Sequence, residues 1–171
     1  NFTTFLQDTW QFKDAVNFYS ITGGIRTTFL ELNRELLLSP RFSFTMNPGR
    51  KKDIRLKISS GIYYQPPFYK EMRNPEGQLN KSLNSQKSTH WVAGGDYLFS
   101  AWERPFRFSA EIYYKDLQNL VPYKIDNVNL KYAGENMAKG YAMGLDLKIH
   151  GEFVKSAESW LSVSLMRTRE N

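Results

Sequence analysis

The chain has 171 residues, of which 15% are aromatic and 23% are charged, with a net charge of +6 and no cysteine. This much apolar surface argues against a disordered chain, and the length fits one architectural unit rather than two ordinary domains. The lack of cysteine excludes disulfides, thiolate metal ligands and cysteine nucleophiles.

Hydropathy and charge leave two kinds of β protein open. No stretch approaches the roughly 20 apolar residues of a membrane helix. The mean hydropathy of -0.53 does not separate a soluble β protein from a membrane barrel, because half of each barrel strand faces water. The one compact basic run, Arg50-Lys51-Lys52, follows Asn47-Pro48-Gly49 and is typical of a solvated turn. We therefore expect no nucleic-acid partner.

Alternation of apolar and polar residues predicts about eight strands. The clearest is 54–65, where Ile54, Leu56 and Ile58 alternate with Arg55 and Lys57. In chain order the predicted strands lie at 5–12, 18–29, 40–47, 54–65, 90–99, 105–115, 141–150 and 160–168. Their lengths suit the roughly 9 to 11 residues of a tilted membrane strand.

The connections between these strands alternate in predicted length. Short ones are expected at Lys13 to Val16, Asn47 to Asp53, Ser100 to Pro105 and Gly151 to Glu158. Longer ones are expected at Leu30 to Leu37, Gln65 to Ser85 and Asp116 to Lys139. Short turns on one side and long loops on the other are typical of transmembrane barrels.

Aromatic residues gather near the ends of the predicted strands. Trp10, Phe12, Phe99, Trp102, Phe153 and Trp160 flank short turns, whereas Tyr63, Tyr64, Tyr114 and Tyr123 lie near long loops. Two aromatic belts of this kind mark the interfaces of a membrane barrel. We therefore expect one face of the sheet to meet lipid, with the following residues on it: Ile54, Leu56, Ile58, Phe106, Phe108, Ile112, Leu145, Leu147 and Ile149.

Several segments together resemble a known family. They are SGIYYQPPFYKEMRNPEGQLNKSLNSQKSTHW, GGDYLF, RPFRFSAEIYYKDLQNLVPY and YAGENMAKGYAMGLDLKIHGEFVKSAESWLSVSLM, with FLQDTW, GGIR and LSPR before them. This ordered series resembles the C-terminal barrel of TonB-dependent outer-membrane receptors of the Bacteroidetes type. The resemblance covers nearly the whole chain.

The resemblance implies an all-β fold, an antiparallel up-and-down wall of about eight strands from a larger, roughly 22-stranded barrel with a plugged lumen. Residues 1–171 would be a partial barrel, because we find neither a plug nor a TonB box and the chain stops at Arg169-Glu170-Asn171. It implies TonB-energised uptake of a scarce nutrient across the outer membrane of a Gram-negative bacterium. The implied partners are outer-membrane lipid, the receptor's own plug, TonB and an imported small ligand.

Two groups of residues are candidates for function within such a barrel. A polar lumen wall is expected from Arg55, Lys57, Arg107, Glu111 and Lys115. Ligand contacts are expected from Phe68, Tyr69 and Arg73 on the long loop, since aromatic faces suit sugars or flat chelates and a guanidinium suits an anion. For any one of these residues a purely structural role is the simpler interpretation. The sequence does not distinguish siderophore, cobalamin, glycan and peptide ligands.

An enzymatic function and two alternative architectures have less support from the sequence. His90 and His150 lie on different predicted strands without the spacing of a metal site, so we expect no enzyme, no catalytic residue, no metal and no cofactor. A pairing of either histidine with a serine stays open. Two other architectures also stay open: a complete eight-stranded outer-membrane barrel with a structural or adhesive role, and a soluble carbohydrate-binding β-sandwich.

Overall fold

A computed structural model describes residues 1–49, 53–74 and 77–171, and every regular element in these ranges is a β-strand. The strands are β1 (Phe2–Lys13), β2 (Phe18–Leu30), β3 (Glu35–Asn47), β4 (Ile54–Gln65), β5 (Gln86–Ala101), β6 (Arg104–Leu120), β7 (Tyr123–Asp126), β8 (Asn129–Tyr132), β9 (Ala138–Val154) and β10 (Ala157–Glu170). Eight of them form one antiparallel sheet in the order β1-β2-β3-β4-β5-β6-β9-β10. The other two, β7 and β8, pair with each other as a hairpin. No helix among the described residues is long and apolar enough to cross a membrane.

The eight predicted strands are confirmed as the strands of the sheet. β4 matches its predicted range at both ends, whereas most of the others extend further, so that the eight strands have 12 to 17 residues. They extend because backbone pairing continues where the apolar alternation stops, as at the end of β6, where Gln118 pairs with Lys87. The predicted long connection from Leu30 to Leu37 is wrong: β2 ends at Leu30, residues 31–34 turn, and β3 begins at Glu35.

Consecutive strands run in opposite directions, so the connections lie alternately at two ends of the sheet. The short-turn end holds the connections 14–17, 48–53, 102–103 and 155–156. The long-loop end holds 31–34, 66–85 and 121–137, and the last of these contains the β7–β8 hairpin. The predicted difference in length therefore holds for two of the three connections at the long-loop end. The basic run Arg50-Lys51-Lys52 lies outside the described residues.

The strand register gives the sheet one apolar and one polar face, because residues paired across strands project to the same side. We name them by their residues on β4: the apolar face holds Ile58 and the polar face holds Ser59. One row of the apolar face runs across six strands as Phe44, Ile58, Ala93, Ile112, Leu145 and Leu165. All nine residues predicted to share a face lie on the apolar face.

The sheet is open. Its edge strands β1 and β10 each pair with one neighbour and not with each other, so the eight strands do not close into a barrel. A complete eight-stranded barrel has no edge strands, so the described residues do not form one. Within the described residues no second layer of strands faces the sheet, since the remaining strands form only the small β7–β8 hairpin. A sandwich of two facing sheets is therefore not formed by these residues.

Aromatic rings on the apolar face gather near both of its ends. Near the short turns, Tyr97, Phe99 and Phe106 stack in sequence, with ring centroids 5.6 Å apart at each step. Near the long loops, Tyr114 lies between Trp91 and Tyr141 at 5.8 and 6.1 Å. The rows between these clusters are mainly aliphatic. Of the belt residues predicted near the long loops, Tyr64 and Tyr114 lie on this face, whereas Tyr123 lies on β7, outside the sheet.

Two of the predicted belt members project from the opposite face. Tyr63 pairs with Ser88, and Trp160 pairs with His150, which places both rings on the polar face. Both positions are one residue out of step with the apolar alternation of their strands. Trp160 lies under the ammonium group of Lys148 instead, 5.5 Å from Nζ to the ring centroid.

Buried apolar side chains concentrate at the long-loop end rather than on the sheet faces. Of the buried hydrophobic residues in the described ranges, only Phe106 lies near the short turns; the rest are Leu30, Leu37, Met72, Leu83, Val121 and Ala138. The core of the described chain therefore lies beneath the long loops, and most of the apolar face has no protein packed on it.

Candidate functional site

The connection 66–85 is fixed to the sheet through a carboxylate on the polar face. Glu35, at the start of β3, accepts hydrogen bonds at Oε2 from the backbone N–H of Ser85 (2.9 Å) and from its hydroxyl (2.6 Å). The side-chain amide of Asn33 donates to the same oxygen at 2.9 Å and to the carbonyl of Leu83 at 2.9 Å. Ser85 is completely buried. These bonds hold the end of the loop against the turn 31–34.

A second carboxylate anchors the beginning of the same loop. Glu71 is only 7% exposed. It accepts a hydrogen bond from the backbone N–H of Phe68 at 2.8 Å and another from the side-chain amide of Gln86 at 3.0 Å. Gln86 is the first residue of β5, so this contact holds the first part of the loop to the strand that follows the loop. A buried carboxylate without such donors would be strongly destabilising, and the bonds therefore specify the loop's conformation.

At the start of β3 the polar face is covered and the apolar face is exposed. Along β3, Leu37 and Ser39 project from the polar face and are 3% and 7% exposed. Leu36 and Leu38, which project from the apolar face, are 60% and 47% exposed. The contact between Ser85 and Glu35 places the end of the loop on the same side as Leu37. In this part of β3 the side chains on the apolar face are thus more exposed than those on the polar face.

The two long connections pack against each other. Met72 and Leu83 of the first pack against Val121 of the second, with Tyr132 at the side of the cluster. Hydrogen bonds link the same segments, from Asn80 Nδ2 to the carbonyl of Gly134 at 2.9 Å and from the N–H of Asn84 to Asn136 Oδ1 at 2.8 Å. The long-loop end is therefore one packed unit built from both connections.

A cleft of about 480 Å³ lies between the first loop and the β7–β8 hairpin. We call it the loop cleft. Its lining consists of Lys70, Arg73 and Asn74 from the loop and Val128, Asn129, Leu130, Lys131 and Tyr132 from the hairpin. Three of these side chains are cationic and two are amides, and the described part of the lining contains no carboxylate. The volume lies within the roughly 300–1,000 Å³ typical of small-ligand sites.

The three predicted ligand contacts occupy different positions around this cleft. Arg73 lines it. Tyr69 stands beside Arg73, accepting a hydrogen bond from Nη2 at 2.8 Å, with the guanidinium carbon 5.0 Å from the ring centroid. Phe68 is 63% exposed but does not line the cleft. The structure thus brings Tyr69 and Arg73 together and leaves Phe68 apart from them.

The five predicted lumen residues all lie on the polar face, at four different levels of the strand register. Arg55 lies opposite Asp96 near the short-turn end, and Arg107 and Arg55 line the same small depression. Lys57 and Glu111 lie at the same level, where Glu111 pairs with Asp146 of β9. Lys115 lies nearest the loops, with its ammonium 5.2 Å from the ring centroid of Tyr113. They share a surface but form no single cluster.

Sequence reasoning missed a stacked group on the polar face below the loops. The ring of Tyr63 lies between the guanidinium of Arg41, at 4.7 Å, and the imidazole of His90, at 4.4 Å. Gly61 makes room for the Tyr63 ring, since a Cβ at residue 61 would lie 3.1 Å from that ring. The signal in the sequence is a glycine two residues before an aromatic residue on the same face of a strand.

One serine and histidine pair does form, as the sequence left open. His90 Nε2 lies 2.7 Å from Ser88 Oγ on the polar face of β5. His90 also packs against the Tyr63 ring and pairs with Lys115 of β6. A catalytic base of this kind is normally oriented by a carboxylate, whereas here an aromatic ring and a cation surround the imidazole.

Comparisons of this chain with protein-family models, with curated proteins and with solved structures gave no match.

Proposed function

We propose that this chain is part of the wall of a TonB-dependent outer-membrane receptor, which takes up a scarce nutrient. The supporting observation is the environment of β3, where Leu36 and Leu38 are exposed on the apolar face while Leu37 and Ser39 are covered on the polar face. Burying one leucine side chain is worth about 1.5–3 kcal/mol. An apolar row that runs across six strands is stabilised when lipid covers it.

The aromatic rows also suit a membrane. From Phe106 to Tyr114 is eight residues of β6, or about 26 Å along a strand at roughly 3.3 Å per residue. A strand tilt of about 40° reduces this to about 20 Å, near the roughly 25 Å apolar band of outer-membrane barrels. In this proposal the two rows of rings lie at the two interfaces of the bilayer, with the aliphatic rows between them.

The polar face then lines the lumen. Its charged side chains, among them Arg55, Lys57, Arg107, Glu111 and Lys115, would meet the receptor's plug or the passing ligand. The open edges of the sheet would pair with further strands of a larger barrel, because a membrane strand cannot leave its backbone groups unpaired in lipid. TonB would act through the plug, and the long-loop end would face the outside of the cell.

The orientation can be tested on intact cells with single introduced cysteines, because the chain itself contains no cysteine and any cysteine elsewhere in the complete protein can be replaced first. Val128 lies at the long-loop end and is 93% exposed. Lys155 is an exposed residue of the turn 155–156 at the opposite end. A membrane-impermeant maleimide should label Val128→Cys and not Lys155→Cys. Labelling of Lys155→Cys alone, or of both positions equally, would contradict the proposed orientation.

The transport role needs a separate measurement. Cells with and without the complete protein are grown in a defined medium, and the depletion of each nutrient is followed by mass spectrometry. The proposal predicts a nutrient whose depletion requires both the protein and the proton gradient that energises TonB. Identical depletion of every nutrient in the two strains would contradict the transport role.

A further inference from the structure

We infer that the loop cleft binds a small anionic ligand, one that presents a carboxylate, sulfate or phosphate group. This inference deepens the proposed function, on which it rests for the role of the ligand as the imported nutrient. The cleft itself is defined by Lys70, Arg73 and Asn74 on one wall and by the β7–β8 hairpin on the other.

The loop wall of the cleft carries two cations, Lys70 and Arg73. Neither Lys70 nor Arg73 has an ion-pair partner among the described residues. Both are exposed at the surface of the cleft. Of the five N–H donors of a guanidinium, the contacts described for Arg73 occupy one, in its bond to Tyr69. An anion entering the cleft would therefore meet two positive charges and several guanidinium N–H donors that have no acceptor among the described residues.

The position of Arg73 is fixed before any ligand arrives. Tyr69 accepts its hydrogen bond at 2.8 Å while the ring lies alongside the guanidinium. The backbone behind it is also held, because Asn74 accepts at Oδ1 from the N–H of Gln78 at 2.7 Å and its own N–H donates to the carbonyl of Gln78 at 3.0 Å. A cation held in this way loses little freedom when it binds an anion.

The opposite wall carries a strained backbone position. The β7–β8 turn places Asn127 at φ 45° and Val128 at φ 79°. This left-handed region is unfavourable for a β-branched residue, and Val128 packs against little, since it is 93% exposed. Strained positions of this kind often occur where a surface serves a ligand. Val128 lines the cleft together with the amide of Asn129 and the ring of Tyr132.

The test is binding by the complete protein in detergent micelles, measured by isothermal titration calorimetry. The probes are tri-galacturonate, neutral galactotriose, citrate and inorganic phosphate. Tri-galacturonate against galactotriose isolates the contribution of charge on the same sugar body. Citrate and phosphate then distinguish an acidic sugar from a free carboxylate or phosphate as the source of the anion.

Variants connect any binding to the cleft. Charge-assisted hydrogen bonds predict that Arg73→Gln and Lys70→Gln each weaken binding about tenfold or more. Arg73→Lys should bind more tightly than Arg73→Gln and less tightly than the parent protein, because lysine keeps the positive charge but lacks the paired N–H donors of the guanidinium. Lys155→Gln removes the same charge at the short-turn end and should leave binding unchanged. Circular dichroism of each variant checks that it folds.

Binding of any of the three anionic probes, with these losses and with weaker binding of galactotriose, would support the inference. Equal binding of tri-galacturonate and galactotriose would overturn it, as would no binding of any anion at millimolar concentration or unchanged binding by Arg73→Gln. The outcome is separable from that of the proposed function, since binding in micelles does not depend on which face of the sheet meets lipid.

Discussion

Leu37 and Leu38 are neighbours on β3 with opposite environments, 3% and 47% exposed. The more buried of the two lies on the polar face, under the long loop, and the more exposed one lies on the apolar face. In detergent, Leu37→Ala should lower the free energy of unfolding by about 2–5 kcal/mol, because it leaves a cavity under the loop. Leu38→Ala should cost less than half as much. Urea unfolding of the two variants measures the difference, and equal losses would contradict the described environments.

Arginine substitutions on adjacent residues distinguish the two faces of the sheet. Ile58 is 56% exposed on the apolar face, so a soluble sheet would tolerate Ile58→Arg. In a membrane the same change should cost roughly 2 to 4 kcal/mol near the bilayer midplane. Leu147→Arg should behave likewise. The matched controls Ser59→Arg and Ser109→Arg, on the polar face, should be tolerated. Refolding titrations into lipid vesicles give these values, and equal tolerance of all four would argue against a lipid-facing side.

The anchor at Glu35 should control the order of the loop. Glu35→Ala leaves the two donors of the buried Ser85 without their acceptor and removes one of the two bonds from Asn33, at a cost of about 1–3 kcal/mol per unsatisfied group. Limited proteolysis should then cut within 66–85 faster than in the parent protein. Glu31→Ala is the control, because it removes a carboxylate from the neighbouring turn 31–34 where the side chain is exposed. An unchanged cleavage rate for Glu35→Ala would show that the loop is held by other contacts.

Much of the sheet could be predicted from the sequence, because alternation along one strand fixes which residues share a face. β4 was predicted to its end residues for this reason. The start of β3 was not, since three consecutive leucines hide the alternation and Leu37 owes its burial to a loop that begins some thirty residues later. The loop cleft depends on the same kind of long-range contact. The sequence pointed to Tyr69 and Arg73, but the hairpin that completes the cleft could not be placed beside them.

The residues around Arg73 offer a finer test of ligand recognition. Tyr69→Ala and Arg73→Ala should both reduce ligand affinity and uptake by the complete receptor at normal surface expression. Tyr69→Phe keeps the ring and removes the hydroxyl that accepts from Nη2, so its effect should be smaller than that of Tyr69→Ala. If affinity and uptake were unchanged in both alanine variants, the binding role would be wrong and only the role as part of the barrel wall would remain.

The side of the membrane on which the loop lies can be tested with a labelling tag inserted near Pro75-Glu76-Gly77, of which Pro75 and Glu76 lie outside the described residues. Labelling from outside the cell is expected, and labelling only from the periplasm would contradict the proposed orientation.

The strained hairpin turn predicts a stabilising substitution. Val128→Gly allows the positive φ of 79° without a steric penalty, and little packing is lost at a side chain that is 93% exposed. Relief of about 1 kcal/mol should slow amide hydrogen exchange in β7 and β8 roughly fivefold. Faster exchange in the hairpin would show that the added chain freedom of glycine outweighs the strain.

The central claim is that lipid covers the apolar face, and two adjacent residues of β6 test it most directly. Ile112 is 60% exposed on the apolar face, while Glu111 is exposed on the polar face. Single cysteines at these positions are spin-labelled in the complete protein in lipid vesicles, and relaxation by oxygen is compared with relaxation by a water-soluble nickel chelate. Lipid contact predicts that oxygen dominates at Ile112→Cys and the nickel chelate at Glu111→Cys. Equal accessibility of both labels to the nickel chelate would contradict the membrane account.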